Sequence, residues 1–390
     1  MSKVSSEKKS IYLDYSATTP LNKTVLKKML PYFSTSFGNA NSIHSFGRTA
    51  ANAADESRRS IADILGVKPN EIYFTSGGTE ANNWAIKGVD LSGSKNRVIV
   101  SGIEHASVKA AAAQLKNDGA DVVFLPCGTD GIIKADDLKK VIDDKTALVS
   151  IIMANNEVGT IQPIKALAQI AKEYGAYFHT DAVQAVGSID VKPKELGVDM
   201  LTLSGHKFYG PKGIGVLYVR GGVKLNKLIV GGHQERTMRG GTSNIPLIVG
   251  LAESLKLAVK DLAKNYKKLK SLKDYFVSEL EKSIKYVTFN GCRQNRLPQN
   301  ANFSFDFIEG ESLLLSLDLD GIACSSGSAC SSGSLEPSHV LLAMGLSAEK
   351  AHGSIRFSFG LSNTFEEIDY VIKSLIKNVE RLRKLSPLYN

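Results

Sequence analysis

Between residues 71 and 219 short apolar runs alternate with longer stretches of helical periodicity. The runs fall at 71–75, 97–100, 122–125, 147–152, 177–179, 200–203 and 214–219. Each is too short for a stable helix and rich in β-branched or aromatic residues, so each predicts a strand. Because the runs are apolar throughout rather than on alternate positions, they predict an α/β fold: a mainly parallel sheet covered by helices on both faces. From Pro246 to about residue 285 the periodicity is helical with few breaks; runs at 286–289, 302–307 and 355–359 then alternate with helical patterns. This predicts a smaller α+β domain. The expected division is a large domain over 18–257 and a small domain formed by 1–17 and 258–390, with the junction inside a long helix. No linker, internal repeat or low-complexity tract interrupts the chain.

With 390 residues, 43% of them hydrophobic, the chain can bury a large core in about two domains. It has no run of about 20 apolar residues to span a bilayer, and its polar, lysine-bearing first ten residues lack the apolar core of a secretory signal. The four cysteines, Cys127, Cys292, Cys324 and Cys330, are too few and too scattered for a disulfide framework, which predicts a reducing cytoplasm. The formal charge of +9 raises nucleic acid as a partner. However, Lys264, Lys267, Lys268, Lys270 and Lys273 alternate with Leu262, Leu269, Leu272 and Phe276 at helical spacing, as on an amphipathic helix with a solvated face. The expectation is no direct nucleic-acid binding and, for that surface, an acidic protein.

Candidate chemistry follows the strands. Ser204-Gly205-His206-Lys207-Phe208-Tyr209-Gly210 places one lysine in a small-residue turn after an apolar run. Desolvation readily yields the neutral amine that imine formation needs, although most lysines in turns are surface charges. The run through His179 ends at Asp181, with Gln184 three residues on. A carboxylate there suits the pyridinium nitrogen of pyridoxal phosphate, with Lys207 as the imine; a helix N-cap is the plainer role for Asp181. Ser76-Gly77-Gly78-Thr79-Glu80 follows another run and opens a helical pattern, which suits a phosphate cradle as well as an ordinary capping box.

Taken together, these motifs resemble the cysteine desulfurases: pyridoxal-phosphate enzymes of fold-type I, aminotransferase class V, here of the housekeeping iron-sulfur type. The resemblance runs from Tyr12-Leu13-Asp14-Tyr15-Ser16-Ala17-Thr18-Thr19-Pro20 to Leu385-Ser386-Pro387-Leu388-Tyr389. Its most specific motif is Ser325-Ser326-Gly327-Ser328-Ala329-Cys330-Ser331-Ser332-Gly333-Ser334-Leu335-Glu336-Pro337-Ser338. It implies a seven-stranded, mainly parallel sheet in the large domain and a cofactor held between domains and between the subunits of a homodimer. It also implies site roles. Gly78, Thr79, Ser204 and His206 would hold the cofactor phosphate, and Thr242 would reach the phosphate of the neighbouring subunit. His105 would stack over the ring and move protons, against solvated-loop and capping alternatives. Asn156, chosen over Asn155, would donate to the phenolic oxygen, with Asp181, Gln184 and Lys207 completing the site. Arg356, in an otherwise apolar strand, would bind the substrate α-carboxylate, the alternative being an internal salt bridge.

The reaction expected is conversion of L-cysteine to alanine, with the sulfur taken as a persulfide by Cys330. That thiol stands among Ser, Gly and Ala residues, a composition that favours a mobile, solvated chain. Cys324, which follows the apolar Gly321-Ile322-Ala323, is the rival. The persulfide would pass to an iron-sulfur scaffold protein and, in some relatives, to carriers for tRNA thiolation; the resemblance also admits Cys330 as a transient iron-sulfur ligand. Residues 381–389 are similar to the tail that docks the scaffold, or are simply a helix end with a proline stop. The competing readings are a class V aminotransferase, which has no use for Cys330, a selenocysteine lyase, and a fold retained only for binding.

Overall fold

The computed structural model describes residues 10–326, 336–387 and 389. Among the described residues the strands are β1 (Ile11–Tyr12), β2 (Ile72–Thr75), β3 (Arg97–Ser101), β4 (Asp121–Leu125), β5 (Thr146–Ser150), β6 (Tyr177–Asp181), β7 (Met200–Ser204), β8 (Gly215–Val219), β9 (Val287–Phe289), β10 (Asn300–Phe305), β11 (Ile322–Ala323) and β12 (Ser354–Ser358). Every apolar run picked out above lies on one of them, to within about three residues at either end. Seven form one sheet in the order β2-β8-β7-β6-β5-β3-β4. β3 to β7 run parallel, and β8 alone is antiparallel to both its neighbours, β7 and β2. β2 therefore points the same way as β7. The doubly covered parallel sheet is thus as the apolar runs predict.

A large hydrophobic cluster fills one side of this sheet, packing Ile61 and Leu65 of the helix Ser45–Leu65 and Ile248, Leu251 and Leu255 of Ile245–Lys260 against Ile99, Val149, Phe178, Leu201 and Val216. On the other side Trp84, Val108 and Ala112 pack against Val98, Val100, Leu148 and Met200. Alternate side chains of one strand enter opposite cores, so both faces of a central strand must be apolar. A separate aromatic-rich cluster centres on Phe276, Phe303, Phe357 and Phe359 and includes Ile11 and Leu13. It covers the antiparallel sheet β12-β10-β9, while β1 pairs in parallel with β11 nearby. The short helix His339–Ala343 leaves this second core and packs Val340 and Leu341 into the first.

The lysine-rich stretch is the helix Leu262–Ser283, with Leu269, Leu272, Phe276 and Leu280 buried as its periodicity predicts. Lys273 departs from the expectation of a solvated face: it is buried, paired with Asp274 at 2.8 Å, and desolvation holds its ammonium below the ordinary lysine range. No described helix is long and apolar enough to cross a membrane.

Candidate active site

The parallel strands deliver their C-terminal ends to one edge of the sheet, where a doubly wound fold builds its sites. β6 ends on Asp181, β7 on Ser204, and β2 and β3 lead within a few residues to Gly78 and His105. At the β2 end, Gly77 and Gly78 open the helix Gly78–Lys87, whose first backbone N–H groups have no partners within the helix. A Cβ on Gly78 would stand 2.9 Å from Val183 Cγ2, too close without a shift, and 3.6 Å from Ser204 Cβ, an ordinary contact, so glycine is favoured here by the approach of Val183. Glu80 accepts the Ser76 N–H at 2.8 Å and is gripped by both arms of Arg239, at 2.8 and 2.9 Å. No side chain caps this helix, whose N-cap is Gly77; Glu80 instead closes back on the residue before the cap, while Thr79 stays exposed beside the turn.

Lys207 lies in the single 3₁₀ turn Gly205–Lys207 that follows β7. Half-buried, it donates from Nζ to the carbonyls of Ser16 at 2.6 Å and Ala17 at 2.8 Å. Gln184 donates from Nε2 to the same Ser16 carbonyl at 2.9 Å, which brings these two predicted residues together on the N-terminal segment. The turn is locked from behind by Thr19, which donates to the His206 carbonyl and accepts from the N–H of Tyr209. His206 hydrogen-bonds Thr18 Oγ1 through Nδ1 at 3.2 Å; burial, with neighbouring Lys207, pulls its imidazole down to about 4, so it is neutral at physiological pH.

Asp181 is buried, and no helix begins there for it to cap. Its Oδ1 accepts the N–H of Val183 at 2.9 Å and its Oδ2 accepts Asn82 Nδ2 at 2.7 Å. Among the described residues no lysine, arginine or histidine forms a salt bridge with it. A buried carboxylate held only by neutral donors is an anionic socket for a cationic ligand atom. The other face of Asn82 Nδ2 reaches Ser107 Oγ at 2.9 Å, and Ser107 Oγ lies 2.7 Å from His105 Nδ1. His105 itself is the N-cap of the helix Ala106–Asn117. The capping and site positions are therefore one and the same.

On the antiparallel sheet, Arg356 of β12 is 4% exposed along its side chain and donates from Nη2 to Asp14 Oδ1 at 2.7 Å and from Nη1 to the Asn156 carbonyl at 3.1 Å. The internal salt bridge exists, yet Nε of the same guanidinium is buried without a partner, which leaves it capacity for a further acceptor. Asn155 spends its side chain inward, on Ile103 O and the N–H groups of Glu157 and Val158, whereas Asn156 next to it is only half-buried. Thr242 is exposed and makes no hydrogen bond among the described residues. Cys330 lies outside the described residues. Cys324 sits beside Asp14; burial first, then that carboxylate, pushes its thiol far above the ordinary range.

Several members of this site carry no sequence signal of their own. Asp14 meets Arg356 across 342 residues and Asn82 meets Asp181 across 99. Two buried carboxyls flank the site: Glu104, accepting from Ser101 Oγ and the N–H of Ile152, is pushed up to about 8 by burial, and Glu157, accepting from Ser338 Oγ at 2.5 Å, to about 7 by the same cause. For Asn82 a usable hint exists, since it lies four residues after Gly78 and hence on the same helix face.

A family model described as aminotransferase class-V matches residues 11–371. The chain belongs to the class-V aminotransferase family. It is 52% identical over 382 residues to a protein of Dictyoglomus turgidum named cysteine desulfurase IscS, covering 97% of each chain. To the protein of the same name from Methanosarcina thermophila it is 49% identical, covering 99% of this chain and 96% of that one. A solved structure described as a NifS-like protein superposes with a TM-score of 0.90 at 37% identity, covering 96% of this chain and all of the other. The fold is the fold-type I arrangement of such enzymes, and members of the family work with pyridoxal phosphate. The class-V site in this chain suits that group: the glycine-shaped helix start can take a phosphate, and the cation-free Asp181 a protonated ring nitrogen.

Proposed function

We propose that this protein is a cysteine desulfurase that converts L-cysteine to L-alanine and carries the sulfur as a persulfide on Cys330. The supporting observation is the union of Lys207, Asp181, His105 and Arg356 about one sheet edge in a chain 52% identical to a relative named for that activity. Gly78, Thr79, Ser204 and His206 would hold the cofactor phosphate, Asp181 and Gln184 its ring and Asn156 its phenolic oxygen, and Lys207 would be its attachment point. When bound, the cofactor draws electrons away from the substrate's Cα and weakens the C–S bond.

Arg356 binds the substrate carboxylate through the guanidinium capacity that Asp14 and Asn156 leave over, and so fixes which way the thiol points. The Lys207 amine would move a proton at Cα. Cys330 as thiolate attacks the substrate sulfur; the C–S bond breaks, its electron pair stays on carbon and takes up a proton, and cysteine plus Cys330–SH become alanine plus Cys330–S–SH. Cys324 is unsuited to this step, because burial beside Asp14 disfavours its thiolate.

The exposed Phe33, Phe37, Ile43, Phe46 and Val230 make a surface suited to a second copy of the chain, and Thr242, also exposed, would reach that copy's phosphate. We take the working form to be this homodimer, in the cytoplasm, with no direct contact to nucleic acid. The persulfide passes to an iron-sulfur scaffold protein. Exposed Lys373, Lys377, Arg381 and Lys384 with Leu385 on the helix Phe365–Leu385 offer it a basic, partly apolar surface.

Incubating the holoenzyme with L-cysteine and a thiol reductant is expected to release alanine and sulfide in equal amounts. Cys330→Ala should abolish both, and Cys324→Ala should keep most of the rate. Unchanged release in Cys330→Ala with loss in Cys324→Ala would reverse the assignment, while keto-acid formation in place of sulfide would make the protein an aminotransferase.

A further inference from the structure

His105 and Asp181 are joined by an unbroken line of hydrogen bonds whose direction can be read. Asp181 is a carboxylate and only accepts, so the group Asn82 turns toward it must be the amide nitrogen, as its 2.7 Å contact with Oδ2 requires. The second hydrogen of that nitrogen goes to Ser107 Oγ at 2.9 Å. With one lone pair of Ser107 Oγ taken, its own hydrogen is directed to His105 Nδ1, 2.7 Å away. An independent bond fixes the same end. The backbone N–H of Ser107 donates to Nδ1 at 3.2 Å, and a backbone N–H has no other role to play. Nδ1 is therefore a lone pair facing two donors.

We propose that Asn82 and Ser107 are positioning residues that transmit the orientation set by Asp181 to His105, fixing the neutral imidazole as the Nε2–H tautomer. His105 then meets the reacting groups as a hydrogen-bond donor through Nε2, and the proton-accepting role falls to Lys207. The proposal rests on the reading of Asp181 and His105 as cofactor-site residues given above. It assigns them unequal tasks: one anion serves both the cofactor ring and, through two neutral side chains, the histidine. Both linking residues are buried, so the line is shielded from water and holds its direction. Asn82 Oδ1 is buried without a partner, so nothing on that side favours turning the amide over.

The test is nitrogen NMR on full-length protein labelled with ¹⁵N-histidine, with and without cofactor, the His105 signals being assigned by their loss in His105→Gln. The expected pattern is an unprotonated Nδ1 and a proton on Nε2. In Ser107→Ala the Nδ1 signal should move, because one of its two donors is gone, and turnover should fall about tenfold with KM within about twofold. Ser107→Thr keeps the hydroxyl and should restore both. A proton on Nδ1 in the unaltered protein, or an Nδ1 signal and turnover that Ser107→Ala leaves unchanged, overturns the proposal. Because the tautomer is read without turnover, an enzyme that releases no alanine from cysteine would refute the desulfurase reading and leave this one standing on its own.

Discussion

Asp181 and Asp14 are both carboxylates of the site, but they are held in opposite ways. Asp181 is buried among neutral donors with no cationic partner among the described residues; Asp14, more exposed, is already paired with the guanidinium of Arg356. A buried carboxylate held by neutral donors gains from a counter-charge, so the first arrangement favours a ligand that brings a positive one. In the second arrangement the cation is compensated beforehand, and a ligand anion has only to add to the spare guanidinium capacity. On the proposed function, one end of the site would bind by completing a charge pair and the other by enlarging one. The first would select for positive charge, and the second would orient a carboxylate at small electrostatic cost.

The comparison breaks most visibly at Asp181. Asp181→Asn keeps the shape but removes the anion and one of the two acceptors that serve Asn82 and Val183, and alanine release is expected to fall by roughly 10²–10³-fold, measured as kcat at saturating cofactor. A loss under about tenfold would mean that the carboxylate is structural. At the other end, Arg356→Lys keeps the charge that faces Asp14 but loses the planar fork, so KM for cysteine should rise by roughly tenfold with kcat less affected. An unchanged KM would leave Arg356 as a purely internal salt-bridge partner.

The smallest effect concerns Glu104, another buried carboxyl, which feels the charge of Asp181. Burial, then Asp181, raises its folded value to about 8 from an ordinary 4.5. Between these values the folded protein keeps a proton that the unfolded chain has released, so stability is fully present below the lower value and is lost as pH rises toward the upper one. Glu104→Gln should flatten that decline: the drop in Tm between pH 5 and pH 8, measured on the cofactor-free protein, is expected to shrink. An unaltered drop would show that Glu104 is ionised in the folded state throughout.

The sheet was legible in the sequence because its strands are buried on both faces and so read as unbroken apolar runs, and the candidate residues Asp181, Ser204 and Lys207 were legible because they stand where those runs stop. The reversed direction of β8 was not, since an apolar run carries no polarity. The partnerships were also hidden. Asn82 looks like any helix asparagine and Asp14 like any loop acid until the fold sets them against Asp181 and Arg356. Lys273 misled for a related reason: helical periodicity assigns a lysine to water, whereas a neighbouring acid let this one be buried.

The carbonyls that hold Lys207 Nζ belong to residues 16 and 17, and the chain just before them is fastened by very late partners: Ile11 and Tyr12 pair with Ile322 and Ala323, and the Leu13 carbonyl accepts the N–H of Ser358 at 2.7 Å. Residues 16 and 17 are thus anchored from two sides, by Thr19 on the turn that carries Lys207 and by strand partners more than 300 residues away. Loss of Ile322 and Ala323 as partners would release one of those anchors and leave the other, so the second core steadies the segment that receives the Lys207 amine without touching the amine itself.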